Sequence, residues 1–147
     1  MSETYTTSLH IAAAPEAVFD HFVRPELLVR WMGDHARLEA VAGGVFSVDI
    51  NGVLIRGSFV MLDRPRHIEV AWGQAGNAAM PPGTTTLRIS LLPSADGTLL
   101  TLTHSGLQPA EADKHAIGWP HFLARLADLA AGGDPGPDPW ATQPPGG

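Results

Sequence analysis

From Tyr5 to Ile11 the chain alternates, with Tyr5, Thr7, Leu9 and Ile11 on one side and Thr6, Ser8 and His10 on the other. A period of two is the mark of a half-buried strand. The period then changes: Val18, Phe19, Phe22 and Val23 recur at helical spacing behind Pro15, and Pro25 ends the run. A second short helix is predicted from Glu26 through Leu27, Leu28 and Trp31. Alternation resumes in Ala36-Leu38-Ala40, in Phe46-Val48-Ile50 and from Ile55 to Leu62, with Gly43-Gly44 and Asn51-Gly52 as the turns between them. Arg64-Pro65 turns the chain into His67 to Trp72. Beyond a loop rich in Gly, Pro and Ala, Thr84 to Leu92 and Leu99 to His104 flank the turn Ser94-Ala95-Asp96-Gly97. From Ala110 to Ala131 the residues Ile117, Trp119, Phe122, Leu123, Leu126 and Leu129 form a broad apolar stripe at helical period, closed by Gly132-Gly133. Pro120 lies inside this stripe and predicts a helix that starts at Trp119 or bends just before Pro120.

This order is one strand, two short helices, a run of six strands and a long C-terminal helix. Strands segregated from helices predict an α+β domain in which one side of a twisted antiparallel sheet is covered, and a helix laid across its concave face encloses space. A cavity is therefore expected from the architecture alone.

Composition refines the boundaries. Of the 147 residues, 16 are Gly and 13 are Pro, and the last stretch, Gly132 to Gly147, holds ten of them. A segment so poor in apolar surface cannot offset its ordering entropy, so residues 132–147 are expected to form a mostly disordered tail behind a single domain of residues 1–131. Trp140 is the one large apolar residue in that tail, with solvent exposure and docking both open to it. The chain has no cysteine, which removes thiolate chemistry, disulfides and sulfur-based zinc sites. Its 9 basic and 15 acidic residues give a net charge of −6, which disfavours nucleic acid and anionic membrane surfaces as partners. No basic, apolar leader opens the sequence and no run of about 18 apolar residues occurs, so a cytoplasmic location is expected.

Several motifs, in order, resemble one known family. They are Ala14-Pro15-Glu16-Ala17-Val18-Phe19, Leu28-Val29-Arg30-Trp31-Met32, Gly43-Gly44-Val45-Phe46, Gly57, Asp63-Arg64-Pro65-Arg66, Trp72, Leu102-Thr103-His104 and His115-Ala116-Ile117-Gly118-Trp119 with Leu123 and Leu126. The chain resembles the activator of Hsp-90 ATPase homologue family, within the SRPBCC (START-like, birch-allergen-like) superfamily, from about Thr6 to Ala131. The resemblance implies a helix-grip fold: a curved antiparallel sheet of about six to seven strands gripping a long C-terminal helix around an apolar tunnel. The superfamily includes lipid and hormone carriers, polyketide cyclases and small bacterial proteins with no assigned reaction, so fold alone does not decide chemistry. A true chaperone activator resembles a longer, two-domain protein.

Within that frame, Trp31, Phe46, Phe59, Trp72, Trp119 and Phe122 are the aromatics able to line a cavity. Strand parity puts His104 on the inward face, near His115 and Trp119, where it is either a general base for a bound carbonyl or a structural histidine tying strand to helix. Asp34, Arg56, Arg88 and Asp49 are polar candidates for the cavity mouth, although parity turns Asp49 and Arg88 outward. Gly57 and Gly118 read as positions of close approach. The seven histidines lack metal-ligand spacing, and no Gly-x-Ser-x-Gly or phosphate-cradling glycine motif occurs, so neither metal nor cofactor is expected. The leading expectation is the binding of a small apolar or amphipathic ligand by a monomer or homodimer. The alternatives are a cyclase, dehydratase or hydrolase working through His104 with His115 or Asp34, and a chaperone-associated or stress-response interaction role that uses the tail as a contact arm.

Overall fold

Alternation along each strand decides which face is buried, and the register carries that choice from strand to strand. The structure, a computed structural model, describes residues 2–142. In chain order it contains β1 (Glu3–Ile11), α1 (Pro15–Val23), α2 (Pro25–Leu28), β2 (His35–Leu38), β3 (Val45–Ile50), β4 (Val53–Asp63), β5 (His67–Trp72), β6 (Thr85–Ser94), β7 (Gly97–Leu107) and α3 (Pro109–Ala130). The strands form one seven-stranded antiparallel sheet in the order β1-β7-β6-β5-β4-β3-β2. Sheet and long C-terminal helix together make the α+β helix-grip architecture, with α1 and α2 inserted after the first strand. No helix among the described residues is long and apolar enough to cross a membrane.

The buried face is built from every second residue. Ile68, Val70 and Trp72 of β5 stand beside Leu87, Ile89 and Leu91 of β6 and Leu100 and Leu102 of β7, all nearly inaccessible to solvent. On β7 the parity changes after His104. Tyr5 pairs with His104 and Glu3 with Leu107, so β7 carries one extra residue there, and Gly106 takes φ +82° at the bulge. Leu107 consequently returns to the buried side at an odd position, where it closes the end of the core.

The helices cover this face. Val18, Phe19, Phe22 and Val23 are the buried residues of α1, and Trp119, Phe122, Leu123, Leu126 and Leu129 form the apolar stripe of α3. Pro25 does more than stop α1: it occupies the first turn of α2, which is shorter than expected and ends at Leu28. Pro120 neither starts nor ends α3, which is continuous from Pro109 to Ala130. The proline costs one donor, and both Pro120 and Ala116, whose carbonyl loses that donor, lie on the exposed side of the helix.

Within the segment expected to be disordered, Pro135, Gly136, Asp138 and Trp140 contact the body; Gln143 to Gly147 lie outside the described residues. Arg125 of α3 is the anchor. Its guanidinium donates to the carbonyls of Trp31 (3.1 Å), Arg30 (3.2 Å), Pro135 (3.3 Å) and Gly136 (2.9 Å), which ties the turn after α2 to the chain beyond α3. Composition does not reveal this, because the anchoring acceptors are backbone carbonyls supplied by any sequence.

Candidate functional site

Between the strand end at Trp72 and the first half of α3 the core opens into a cavity of about 610 Å³. Its sheet wall is Ile50, Val53, Ile55 and Trp72, its helix wall runs from Glu111 to Phe122, and Met32 and Met80 close the sides. Apolar groups dominate, as suits a site of this size, which falls in the range of roughly 300–1,000 Å³ common for small-molecule pockets. Polar groups come from Asp34, Asn51, Gln74, Glu111, Lys114 and His115.

The aromatic candidates divide into two groups. Trp72, Trp119 and Phe122 line the cavity, with the indoles of Trp72 and Trp119 centred 5.3 Å apart. Trp31, Phe46 and Phe59 are buried behind it: Phe46 packs edge-on against Phe59 at 5.4 Å and touches Trp72 at 5.8 Å, while Trp31 donates its indole N–H to the carbonyl of His21 (3.0 Å). Those three are core, although parity alone cannot distinguish them from cavity residues.

His104 is fully buried and does not belong to the cavity wall. The indole N–H of Trp119 donates to its Nδ1 (3.2 Å), and its Nε2 lies 2.8 Å from Oγ1 of Thr85. Thr85 Oγ1 in turn donates its proton to the carbonyl of Trp72 (2.7 Å), so it accepts from His104. The ring is therefore neutral, with its proton on Nε2 and no lone pair left over. Burial, assisted by the nearby His115, pushes its pKa down to about 3. This corrects the reading of His104 as cavity lining and as a general base: it is a hydrogen-bond node that joins α3 to β5, β6 and β7.

His115 occupies the other side of that node, 4.7 Å from His104 ring to ring, and it does line the cavity. Its Nδ1 donates to the carbonyl of Glu111 one turn earlier (2.6 Å), leaving Nε2 as a lone-pair acceptor with no protein partner among the described residues. Burial lowers its pKa, and Lys114 adds to the effect; the Glu111 carbonyl and carboxylate oppose it without cancelling it. Glu111 is itself buried, and its carboxylate pairs with the exposed ammonium of Lys114 at 3.1 Å. Trp72 Nε1 is a buried donor without a partner among the described residues. A mostly apolar wall with a few polar side chains, among them the bare Nε2 of His115, is chemically suited to a mostly apolar molecule that carries few polar groups.

Asp34 is exposed and contributes to the cavity rim. Arg56, Asp49 and Arg88 do not: Arg56 bonds Asp49 at 2.8 Å and Arg88 bonds Glu69 at 3.0 Å, both pairs on the outer face of the sheet. Gly57 is the tight position its sequence context suggests, since a Cβ there would come within 1.7 Å of the carbonyl oxygen of Ala71. Gly118 is the opposite. A Cβ at Gly118 meets nothing within 4 Å, because this turn of α3 borders the cavity, and the close-approach reading of Gly118 is wrong.

The last part of the wall comes from beyond α3. Trp140 and Ala141, in a short 3₁₀ turn (Pro139–Ala141), border the cavity. The Trp140 indole stacks on the His121 ring at 3.6 Å and 8°, and meets Phe122 edge-on at 5.6 Å. Asp138 holds this turn in place, accepting from His121 Nε2 (2.8 Å), from the Trp140 backbone N–H (3.0 Å) and from Asn51 Nδ2 (3.4 Å). Burial alone would raise the pKa of Asp138, but these three donors outweigh it and leave the carboxyl below its ordinary value. A tryptophan in a Gly/Pro-rich stretch was the one sequence signal for this wall; its partner His121 carried none.

A family model described as activator of Hsp90 ATPase homolog 1-like protein matches residues 12–131. A solution structure of an AHSA1-like protein from Rhizobium etli is 40% identical, covers 95% of this chain and 89% of its own, and superposes with a TM-score of 0.75. The Aha1 dimer of Colwellia psychrerythraea shares the fold at 22% identity, covering 89% of this chain and 98% of its own with a TM-score of 0.75. DynU16, a protein in the dynemicin biosynthetic locus, shares it at 21% identity, covering 90% of this chain and 48% of its own with a TM-score of 0.77. The search of curated proteins gave no match. With the family model spanning most of its length and the helix-grip architecture in place around the cavity, this chain belongs to the activator of Hsp90 ATPase homolog 1-like family.

Proposed function

We propose that the protein binds a small, mostly apolar molecule in the cavity between the sheet and α3, with the ligand's few polar groups meeting His115 Nε2 and the rim carboxylate of Asp34. The observation that carries this reading is the cavity itself: about 610 Å³ of space walled by Trp72, Trp119, Phe122, Met32 and Met80. A concave, mostly apolar surface of this size is the usual form of a small-molecule site, which favours an occupant. The location of DynU16 in a biosynthetic locus is in keeping with small-molecule work for this fold. A catalytic reading through His104 loses its base, because both ring nitrogens are engaged and the ring is sealed from the cavity.

The test is thermal stabilisation across a library of lipids, aromatic compounds and polyketides, followed by amide and indole N–H NMR of any hit. The expected result is a rise in Tm with shifts at the indoles of Trp72 and Trp119. Hits whose shifts map to the outer face of the sheet, or no stabilisation from any class, would overturn the reading.

A further inference from the structure

The cavity wall extends past the family-matched residues, which end at 131, to Trp140 and Ala141. This outer part is held by side chains of α3, of the β3–β4 turn and of its own turn. Asp138 receives three donors, one from α3 (His121), one from the β3–β4 turn (Asn51) and one from its own turn (Trp140 N–H). Arg125 clamps the carbonyls of Pro135 and Gly136 upstream of it. A proline-rich segment held at both ends loses little further entropy when a ligand arrives, so its aromatic ring acts as a preorganised contact. Trp140 is also placed beside flat partners: His121 lies parallel to it, Phe122 stands edge-on, and Phe122 and Trp119 continue the wall along α3.

We infer that the segment from Gly132 to Thr142 is the ligand-selecting wall of the site, in which Trp140 determines specificity by favouring a molecule with a planar, apolar ring system. This rests on the cavity being the ligand site. Asp138 and His121 are positioning residues, acting through the place they give to the Trp140 ring.

The full-length protein is titrated with the neutral fluorescent probe N-phenyl-1-naphthylamine, as wild type and as the Trp140→Ala, Trp140→Phe, Asp138→Ala and Gly118→Phe variants, each checked for folding by circular dichroism melting. Trp140→Ala is expected to weaken the probe's Kd by about tenfold with at most a modest fall in Tm, since the ring is only partly buried against the core. Trp140→Phe restores most of the affinity, and Asp138→Ala weakens it about threefold to fivefold by freeing the ring. Gly118→Phe, which fills the cavity from α3, abolishes binding. Equal probe affinity in wild type and Trp140→Ala, with Gly118→Phe still blocking, overturns the role of the segment and leaves the cavity reading standing. No binding by wild type, or binding that Gly118→Phe leaves untouched, overturns the cavity reading and this inference together.

Discussion

Trp119 donates its indole N–H to Nδ1 of His104 across 3.2 Å, and this contact decides the histidine's tautomer. With Nδ1 receiving, Nε2 must carry the proton toward Thr85 Oγ1, whose own proton goes to the carbonyl of Trp72. Trp119→Phe keeps an aromatic ring, though a smaller one, in the wall and removes the donor. It is expected to cost about 1–3 kcal/mol by leaving Nδ1 buried and unpaired. Urea denaturation measures this, and a loss below about 0.5 kcal/mol, the size of an ordinary surface change, would contradict the node.

The same node sets a pH dependence. A histidine whose folded pKa lies at about 3, against 6.5 for the free side chain, is protonated first in the unfolded chain. Its contribution is fully present above pH 6.5 and is lost as pH falls toward 3, at about 1.4 kcal/mol per pH unit between the two values. His115, also lowered, acts in the same direction, and Asp138 adds a loss only at the acid end, below its ordinary value of 3.8. NMR of the His104 ring is expected to show the Nε2–H tautomer unchanged down to about pH 4. A ring that titrates near pH 6 would show that the site is wet.

Gly118 offers a substitution that separates stability from occupancy. Its Cβ direction is empty, so Gly118→Ala is expected to raise stability by about 0.5–1 kcal/mol through helix propensity alone. Chemical denaturation checks it; a destabilised variant would mean that α3 is packed at this turn rather than bordering open space.

Gly57 is expected to behave in the contrary way. Its Cβ would overlap the Ala71 carbonyl, an atom fixed by the pairing of β4 with β5, and neither strand can withdraw without breaking the sheet. Gly57→Ala should cost about 3 kcal/mol or more, seen as a sharply lowered Tm. A mild effect would show that the two strands separate easily here.

Much of the sheet was legible because its information is local. Period-two runs such as Ile68-Val70-Trp72 and Leu87-Ile89-Leu91 announce both a strand and its buried face. The bulge at Gly106 was not legible, because an extra residue in one strand has meaning only against the register of its neighbour. The site is less local still. Trp31 and Trp72 are both buried tryptophans, and only the three-dimensional path of α3 makes one core and the other cavity wall. His104 was correctly placed on the inward face by parity, yet its role depended on Trp119 and Thr85, at distances in sequence that no motif spans. The wall from Trp140 lay hidden by composition, since Gly and Pro signal looseness while Arg125 and Asp138 supply the restraint.

Because Trp140 and Ala141 border the cavity from beyond residue 131, the family-matched residues and the cavity wall do not end at the same place. Changes at Trp140 alter the wall directly, whereas changes at Trp119 or Phe122 bear on the packing of α3 and on the wall at once. On the proposal that the cavity holds a ligand, exchanging the Pro139–Ala141 turn between two such chains is expected to shift preference while the pairing of the seven strands stays as it is.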